Sequence, residues 1–225
     1  MATLGLIGSG HIGSTLARIA VANGLDVVLS NSRGPETLVD LVAELGPHAK
    51  AGTPAEAAAA GDWVVVTIPL KAYQQVPVEP LVGKTVLDTN NYYAARDGNL
   101  PELDAGTTSS ELLQAHLEGA HVVKAFNNIY FEHLAVLSRP KGAPDRSALP
   151  IAGDAEGKAR AVELLDTLGF DAVDAGPLAE GWRYGPGTDA YGRLYGEERD
   201  VNFMQRKAAP AAAAEVTETL AAAQR

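Results

Sequence analysis

The residues best equipped for chemistry in this chain stand at its start. Gly8, Gly10 and Gly13 form G-x-G-x-x-G within "GLIGSGHIGSTLA", directly after an apolar run and at the mouth of a helix-patterned one. The first glycine permits a tight turn, the second lets backbone approach a pyrophosphate, and the third lets helix and strand pack closely. A helix that opens there offers unpaired N–H groups and the positive end of its dipole to phosphate. The pattern points to a bound dinucleotide; a methyltransferase turn and a purely structural glycine turn are the alternatives.

The next chemical signal lies in "VVLSNSRGPE", residues 27–36. Enzymes that take NAD place an acid at the tip of this strand to accept bonds from ribose hydroxyls, and an acid there repels a 2′-phosphate. Here the tip reads Ser30, Asn31, Ser32 and Arg33. Three short polar donors and a guanidinium suit phosphate oxygens, so NADP is expected over NAD. The plainer reading is that Arg33 starts a solvated loop. His11, inside the glycine turn, reads first as a half-exposed residue at a helix start, and second as a ring lying against the pyrophosphate or nicotinamide.

Other polar groups gather after later strand-like runs. "DTNNYY" (88–93) brings Asn90, Asn91, Tyr92 and Tyr93 to a position where catalytic loops collect on parallel sheets. Asn127 and Asn128 follow "VVKAF" and are candidates to orient a carboxamide or a second substrate, or are structural ties. Asn127, Tyr92 and His11 are the candidate groups to assist protonation. Trp182, Arg183, Tyr184, Tyr191 and Tyr195 fall in a glycine-rich stretch and read as a lid, as a substrate wall for a flat or sugar-like molecule or, preferably, as a subunit contact.

These groups need a frame, and the apolar patterning supplies one. Runs at 3–8, 25–30, 62–69, 84–89, 120–126, 148–153 and 170–176 read as strands, several without polar alternation, as for strands covered on both faces. Helices are expected at 11–23, 35–45, 54–60, 109–117 and 155–168, with an alanine-rich helical tail at 208–223. Strict alternation means parallel βαβ units, so the predicted fold is α/β, a Rossmann-like doubly wound sheet. Residues 1–176 form the nucleotide-binding domain in this reading, and 177–225 a C-terminal extension packed on it. Stretches 90–108 and 177–207 are expected to be long loops.

Composition narrows the classes. The chain has 225 residues, is 46% hydrophobic and 20% charged, and carries a net charge of −10, which argues against a general nucleic-acid or anionic-membrane surface. It has no cysteine, and its five histidines show no metal-ligand spacing, so no metal site is expected. No apolar run has the length of a membrane span, and the start lacks a basic leader; a cytoplasmic protein is the default expectation.

"TIPL" at the end of the third apolar run, "VVKAFNN" and "DAGPL" complete a pattern that resembles the NADP oxidoreductases dependent on coenzyme F-420, over about residues 1–180. It is also similar to the oxidoreductase domain of the STEAP metalloreductases. The resemblance implies NADP(H) across the strand ends, with the deazaflavin F-420 stacked on the nicotinamide for direct hydride transfer. It implies that Ser9, Gly10, His11 and Ile12 contact the pyrophosphate. Asn31, Ser32 and Arg33 would hold the 2′-phosphate, while Thr67, Ile68 and Pro69 would flank ribose and nicotinamide. The family often has Ser-Arg-Arg at 31–33, so one arginine of the clamp is missing. A family segment resembling histidine-threonine is replaced by Asn127-Asn128-Ile129-Tyr130, which bears on the electron partner. The expected function is an NADP(H)-dependent oxidoreductase, homodimeric, with a small-molecule hydride partner. The alternatives are a reductase of a small carbonyl or imine, and a non-catalytic NADPH sensor.

Overall fold

The computed structural model describes residues 1–104, 106–197 and 202–224. Six strands form one sheet: β1 (Thr3–Ile7), β2 (Asp26–Ser30), β3 (Ala49–Ala51), β4 (Trp63–Val66), β5 (Thr85–Asp88) and β6 (His121–Lys124). Their order is β3-β2-β1-β4-β5-β6 and every pairing is parallel. The strand order reverses between β1 and β4, which is where a doubly wound sheet opens a crevice for ligand. Strands β7 (Ala148–Ile151) and β8 (Asp171–Asp174) pair in parallel as a second sheet, joined to β6 by an antiparallel bridge between Lys124 and Ala152. The predicted Rossmann-like α/β fold is the observed one.

Register explains how the sheet buries itself. Leu29, Leu6, Val65, Leu87 and Val123 form one row across β2, β1, β4, β5 and β6. All five belong to the larger of two hydrophobic clusters. The next row toward the strand ends is Ser30, Ile7, Val66, Asp88 and Lys124, and its side chains point to the opposite face. There Ile7 and Val66 join a second cluster with Val64, Val86 and Val122. Two buried faces account for apolar runs without polar alternation.

Local sequence sets the helix boundaries. Helix α1 (His11–Ala22) buries Leu16, Ala17, Ile19 and Ala20 and ends at Asn23, with Gly24 at φ 82°. The predicted helix 35–45 divides into a 3-10 turn over Pro35–Leu38 and α2 (Val39–Leu45). Helices α3 (Pro54–Ala60) and, later, α6 (Ser109–His116) both open on capping boxes, Thr53 with Glu56 and Thr108 with Glu111. Between them α4 (Ala94–Asp97) and α5 (Pro101–Asp104) are single turns in the stretch expected to be a loop; its residue 105 lies outside the described residues. Helix α7 (Phe131–Leu137) packs on α1, and α8 (Ala155–Thr167) is capped by Asp154.

The tail differs from expectation. Helix α9 is Ala213–Ala222, and residues 208–211 run extended, with Ala209 N–H donating to Tyr195 O and Ala148 N–H to Ala211 O. Pro210, which cannot donate, sits in this extended run rather than in a helix. Upstream, a 3-10 turn at Leu178–Tyr184 begins a strap across the end of β6. Tyr184, Ala190, Leu194 and Tyr195 of this strap, with Val216 and Leu220 of α9, belong to the same cluster as β1 and β6. Residues 198–201 of the glycine-rich stretch lie outside the described residues.

Candidate functional site

The glycine turn joins β1 to α1 with three different steric demands. Gly8 adopts φ 113°, and a Cβ there would lie 2.2 Å from the Thr67 carbonyl oxygen. A Cβ on Gly13 would lie 2.2 Å from the Gly8 oxygen, so the helix can sit on the strand only without a side chain. A Cβ on Gly10 would meet nothing within 4 Å. Gly10 caps α1 with no side-chain bond, and the first turn carries no acid. The helix thus presents its first N–H groups and positive dipole end to open space beside Ser9, His11 and Ile12.

The tip of β2 is more differentiated than its sequence suggests. Ser30 is fully buried and its Oγ donates to the Leu6 carbonyl at 2.9 Å. It ties β2 to β1 and is not free to meet a phosphate, which corrects its expected role. Asn31 shapes the loop: its Oδ1 accepts from Arg33 N–H at 2.8 Å and its Nδ2 donates to Thr37 Oγ1 at 2.8 Å. Ser32 and Arg33 are exposed. Among the described residues the Arg33 guanidinium forms no ion pair, unlike Arg18, which is clamped to Glu44.

Behind these, Thr67, Ile68 and Pro69 follow β4, with Ile68 N–H donating to Asn90 Oδ1 at 3.2 Å. Asn90 is 3% exposed and its Nδ2 has no hydrogen-bond partner. Asn127 is likewise buried: its Nδ2 donates to Asn91 Oδ1 at 3.2 Å and Tyr184 O at 3.0 Å, while its Oδ1 is unpartnered. Asn91 returns a bond from Nδ2 to Asn127 O at 2.8 Å. The residue before Asn127, Phe126, is the one non-glycine residue at positive φ (60°) among those described, a strained backbone at the end of β6. The ends of β4, β5 and β6 are therefore stitched together, with the Asn90 Nδ2 donor and the Asn127 and Asn128 Oδ1 acceptors left unmet. Asn128 instead turns to the strap, donating to Ala190 O at 3.0 Å and Tyr195 Oη at 3.3 Å.

The candidate proton donors fare differently. His11 is exposed and stacks on Phe131 of α7, centroids 4.4 Å apart and planes 15° from parallel. Tyr92 spends its hydroxyl proton on Gly98 O at 2.9 Å, so it holds the loop. Tyr93 pairs with Tyr191 through their hydroxyls and receives Arg96 over its ring at 4.9 Å; burial and the Tyr93 bond push the Tyr191 phenol up. Asp97, whose side chain is fully buried, fixes this loop by accepting from Tyr93 N–H at 3.0 Å and from Arg96.

Tyr184 and Tyr195 are not surface contact residues, as expected from sequence, but core anchors. Each is fully buried, with Tyr184 Oη donating to Lys124 O at 3.0 Å and Tyr195 Oη to Ala148 O at 3.1 Å.

The sequence reading passed over a buried ionisable pair, Asp88 and Lys124, register partners at the ends of β5 and β6. Lys124 Nζ donates to Asn90 O at 3.0 Å, Ser110 Oγ at 3.2 Å and Ser109 Oγ at 3.3 Å. Asp88 accepts from Ser110 Oγ at 2.6 Å and Asn90 N–H at 2.9 Å. Burial pushes the Asp88 carboxyl up and the Lys124 amine down, and each partly offsets the other's shift. Among the described residues no His, Asp and Glu cluster could hold a metal ion, and no helix is long and apolar enough to cross a membrane.

Comparison with known proteins bears on this arrangement. Residues 3–92 match the family model "NADP oxidoreductase coenzyme F420-dependent". No functionally curated protein matches the sequence. Among solved structures, a hypothetical protein from Sinorhizobium meliloti is 30% identical, with TM-score 0.72, covering 83% of this chain and 91% of that one. The "putative f420 dependent nadp-reductase" of Arthrobacter sp. FB24 is 26% identical, with TM-score 0.65, covering 79% of this chain and 85% of that one. An imine reductase from Aspergillus terreus, solved with NADPH4 and dibenz[c,e]azepine, shares the fold at 19% identity and TM-score 0.58, covering 80% of this chain and 56% of that one. The chain belongs to the coenzyme F420-dependent NADP oxidoreductase family and is an NAD(P)-dependent oxidoreductase.

Proposed function

We propose that this protein moves a hydride between NADP(H) and a small organic acceptor, the deazaflavin coenzyme F-420 first among them. The observation that carries the nucleotide half is the pairing of an open, uncapped α1 N-terminus at Gly10 with an acid-free β2 tip that exposes Ser32 and Arg33. The pyrophosphate would lie on the N–H groups of Gly10, His11 and Ile12, and the 2′-phosphate against Ser32 and Arg33. Thr67, Ile68 and Pro69 would flank ribose and nicotinamide. The unmet donor of Asn90 and the unmet acceptor of Asn127 match the two ends of a carboxamide, which supports a nicotinamide at this place. The bound nucleotide would supply the hydride; the protein's part is alignment and exclusion of water.

The family match supports F-420 as the acceptor. A small carbonyl or imine is the second reading, and one observation favours it: a cavity beside Asn91 and Tyr92 is lined by Lys124. The proposal includes a cytoplasmic homodimer. The test is NADPH oxidation with F-420, free flavins, ferric chelates and a carbonyl and imine panel run in parallel. Turnover of F-420 is expected. Tight NADPH binding without turnover of any acceptor would instead mark a nucleotide sensor. Sedimentation of the purified protein reads the dimer.

A further inference from the structure

A cavity of about 290 Å³ opens between the β5 end, the start of α6 and the strap. Its walls include Asn91, Tyr92, Leu103, Trp182 and Pro186, and its inner wall includes Ser109 and Lys124. The strap lies directly on the lysine stem, because a Cβ on Gly181 would come 2.6 Å from Lys124 Cδ. The amine is thereby confined at 3% residue exposure, yet it borders the cavity.

The hydrogen bonds around this amine run in one direction. Two of its acceptors, Asn90 O and Ser110 Oγ, are buried, and Ser110 passes its own proton to Asp88 at 2.6 Å. The third, Ser109 Oγ, is half-buried, and among the described residues its one acceptor is Asn90 O at the long distance of 3.5 Å. The Ser109 oxygen thus accepts from the Lys124 amine while its own proton is only weakly engaged, on the same Asn90 carbonyl that the amine bonds. The same backbone reaches the nucleotide row, since Asn90 receives Lys124 on its carbonyl and Ile68 N–H on its side chain.

We propose that this cavity holds the hydride acceptor and that Ser109, backed by Lys124, donates the proton that accompanies the hydride. The inference rests on the oxidoreductase reading above. The ligand class is an unsaturated C=O or C=N compound, or a conjugated ring such as a deazaflavin, that gains hydride at carbon and a proton at the linked heteroatom. The acceptor gains two electrons and one hydrogen from the reduced nucleotide, which becomes oxidised. The second hydrogen leaves the Ser109 hydroxyl as a proton, Lys124 returns one to Ser109, and solvent entering the cavity recharges the amine. The charged group facing the Lys124 amine is Asp88 from β5, while the Tyr184 phenol of the strap bonds the Lys124 backbone carbonyl. Burial lowers the Lys124 amine from its ordinary value, which brings it nearer to the pH at which a proton is readily released.

The test uses the full chain. With whichever of F-420, carbonyl or imine the wild type reduces, Ser109→Ala is expected to lower kcat about 100-fold while NADPH affinity stays within about twofold. Ser109→Thr, which keeps the hydroxyl, is expected to restore turnover to within about threefold of wild type. Equal kcat for wild type and Ser109→Ala overturns the inference alone, as does failure of Ser109→Thr to recover turnover. No wild-type turnover of any acceptor overturns the oxidoreductase reading and this inference with it. Lys124→Met strands Asp88 in the interior, so the amine is examined on wild-type protein without nucleotide. Reductive methylation with formaldehyde and borane at neutral pH, read by peptide mass, should modify Lys124 faster than the exposed Lys141. Modification of Lys141 with none of Lys124 shows that the amine does not serve the cavity and overturns its role.

Discussion

Replacing Gly10 by alanine separates a glycine kept for the ligand from glycines kept for the fold. Gly10 sits at φ −72° and ψ −163°, a conformation open to any residue, and its added Cβ would touch nothing within 4 Å. The folded protein should therefore accept the methyl group; alanine is a poorer N-cap than glycine, a cost of a few tenths of a kcal/mol or somewhat more. The space the methyl enters is the space in which, on the proposed reading, the pyrophosphate would approach backbone N–H groups. Lifting the phosphate off them weakens one or two bonds to a charged group, each about 1.5–3 kcal/mol. About 2.7 kcal/mol corresponds to about a 100-fold rise in the NADPH Kd.

Gly13→Ala is the control with the opposite signature. Its Cβ would stand 2.2 Å from Gly8 O and 2.9 Å from Thr67 Cγ2, so α1 must move off β1. Overpacking of this kind costs about 1–3 kcal/mol, and more when backbone must shift. For a chain of this size that lowers Tm by about 2–4 °C per kcal/mol. The assay pairs a fluorescence titration of NADPH with a thermal melt for both variants. Gly10→Ala is expected to melt within about 3 °C of wild type and to bind NADPH about 100-fold more weakly. Wild-type NADPH affinity in a well-folded Gly10→Ala protein would refute the assignment of the turn to pyrophosphate.

Three further outcomes follow from other parts of the molecule. Arg33→Ala should weaken NADPH about tenfold, near 1.4 kcal/mol for one exposed charge-assisted contact, and leave NADH unchanged; equal wild-type affinity for both nucleotides would remove the basis for NADP selection. His121 donates a bond to Asp154 at 2.7 Å, and that bond, with partial burial opposing it, raises the imidazole above its ordinary 6.5. A raised folded-state value stabilises the protein fully below pH 6.5 and is lost as pH rises through the folded-state value. The Tm advantage of wild type over His121→Gln should accordingly be larger at pH 6 than at pH 8.5, and an advantage independent of pH would contradict the pairing. Tyr195→Phe removes a donor to Ala148 O and an acceptor of Asn128 Nδ2, both fully buried, and should cost about 1–3 kcal/mol in a denaturant titration.

The fold was legible because its signal is repeated. Seven apolar runs with the right punctuation place seven of the eight strands, and helix caps such as Thr53 with Glu56 are written in adjacent residues. The exceptions are elements whose stability comes from elsewhere. Strand β3 is only Ala49–Ala51, with Lys50 in its centre, and exists by pairing with β2 rather than by its own pattern. Helix α7 is seven residues held by packing on α1, and the extended run at 208–211 is held by bonds to Tyr195 and Ala148. None of these carries a local periodicity long enough to read.

Site residues divide along the same line. Gly8, Gly10, Gly13 and Arg33 would act through backbone shape or exposed charge, which a sequence shows directly. Ser30 and Lys124 do not, because their meaning depends on which face of a five-strand row they occupy. Ser30 looks like a phosphate donor until register places it beside Ile7 with its hydroxyl on Leu6. Lys124 looks like the solvated end of an apolar strand until register sets it against Asp88 and the strap closes over it at Gly181. A polar residue in the last position of a strand, in a run otherwise covered on both faces, is the available sequence sign. Asp88 and Lys124 both meet it, one strand apart. An acid and an amine in matching places on neighbouring strands must either pair or be shielded, and here two serines of α6 stand among them. Removing water from such charges costs stability that a valine in either place would not. That the chain carries both charges where an apolar pair would pack is the physical reason to look for chemistry at the Ser109 hydroxyl rather than at the tyrosines beside it.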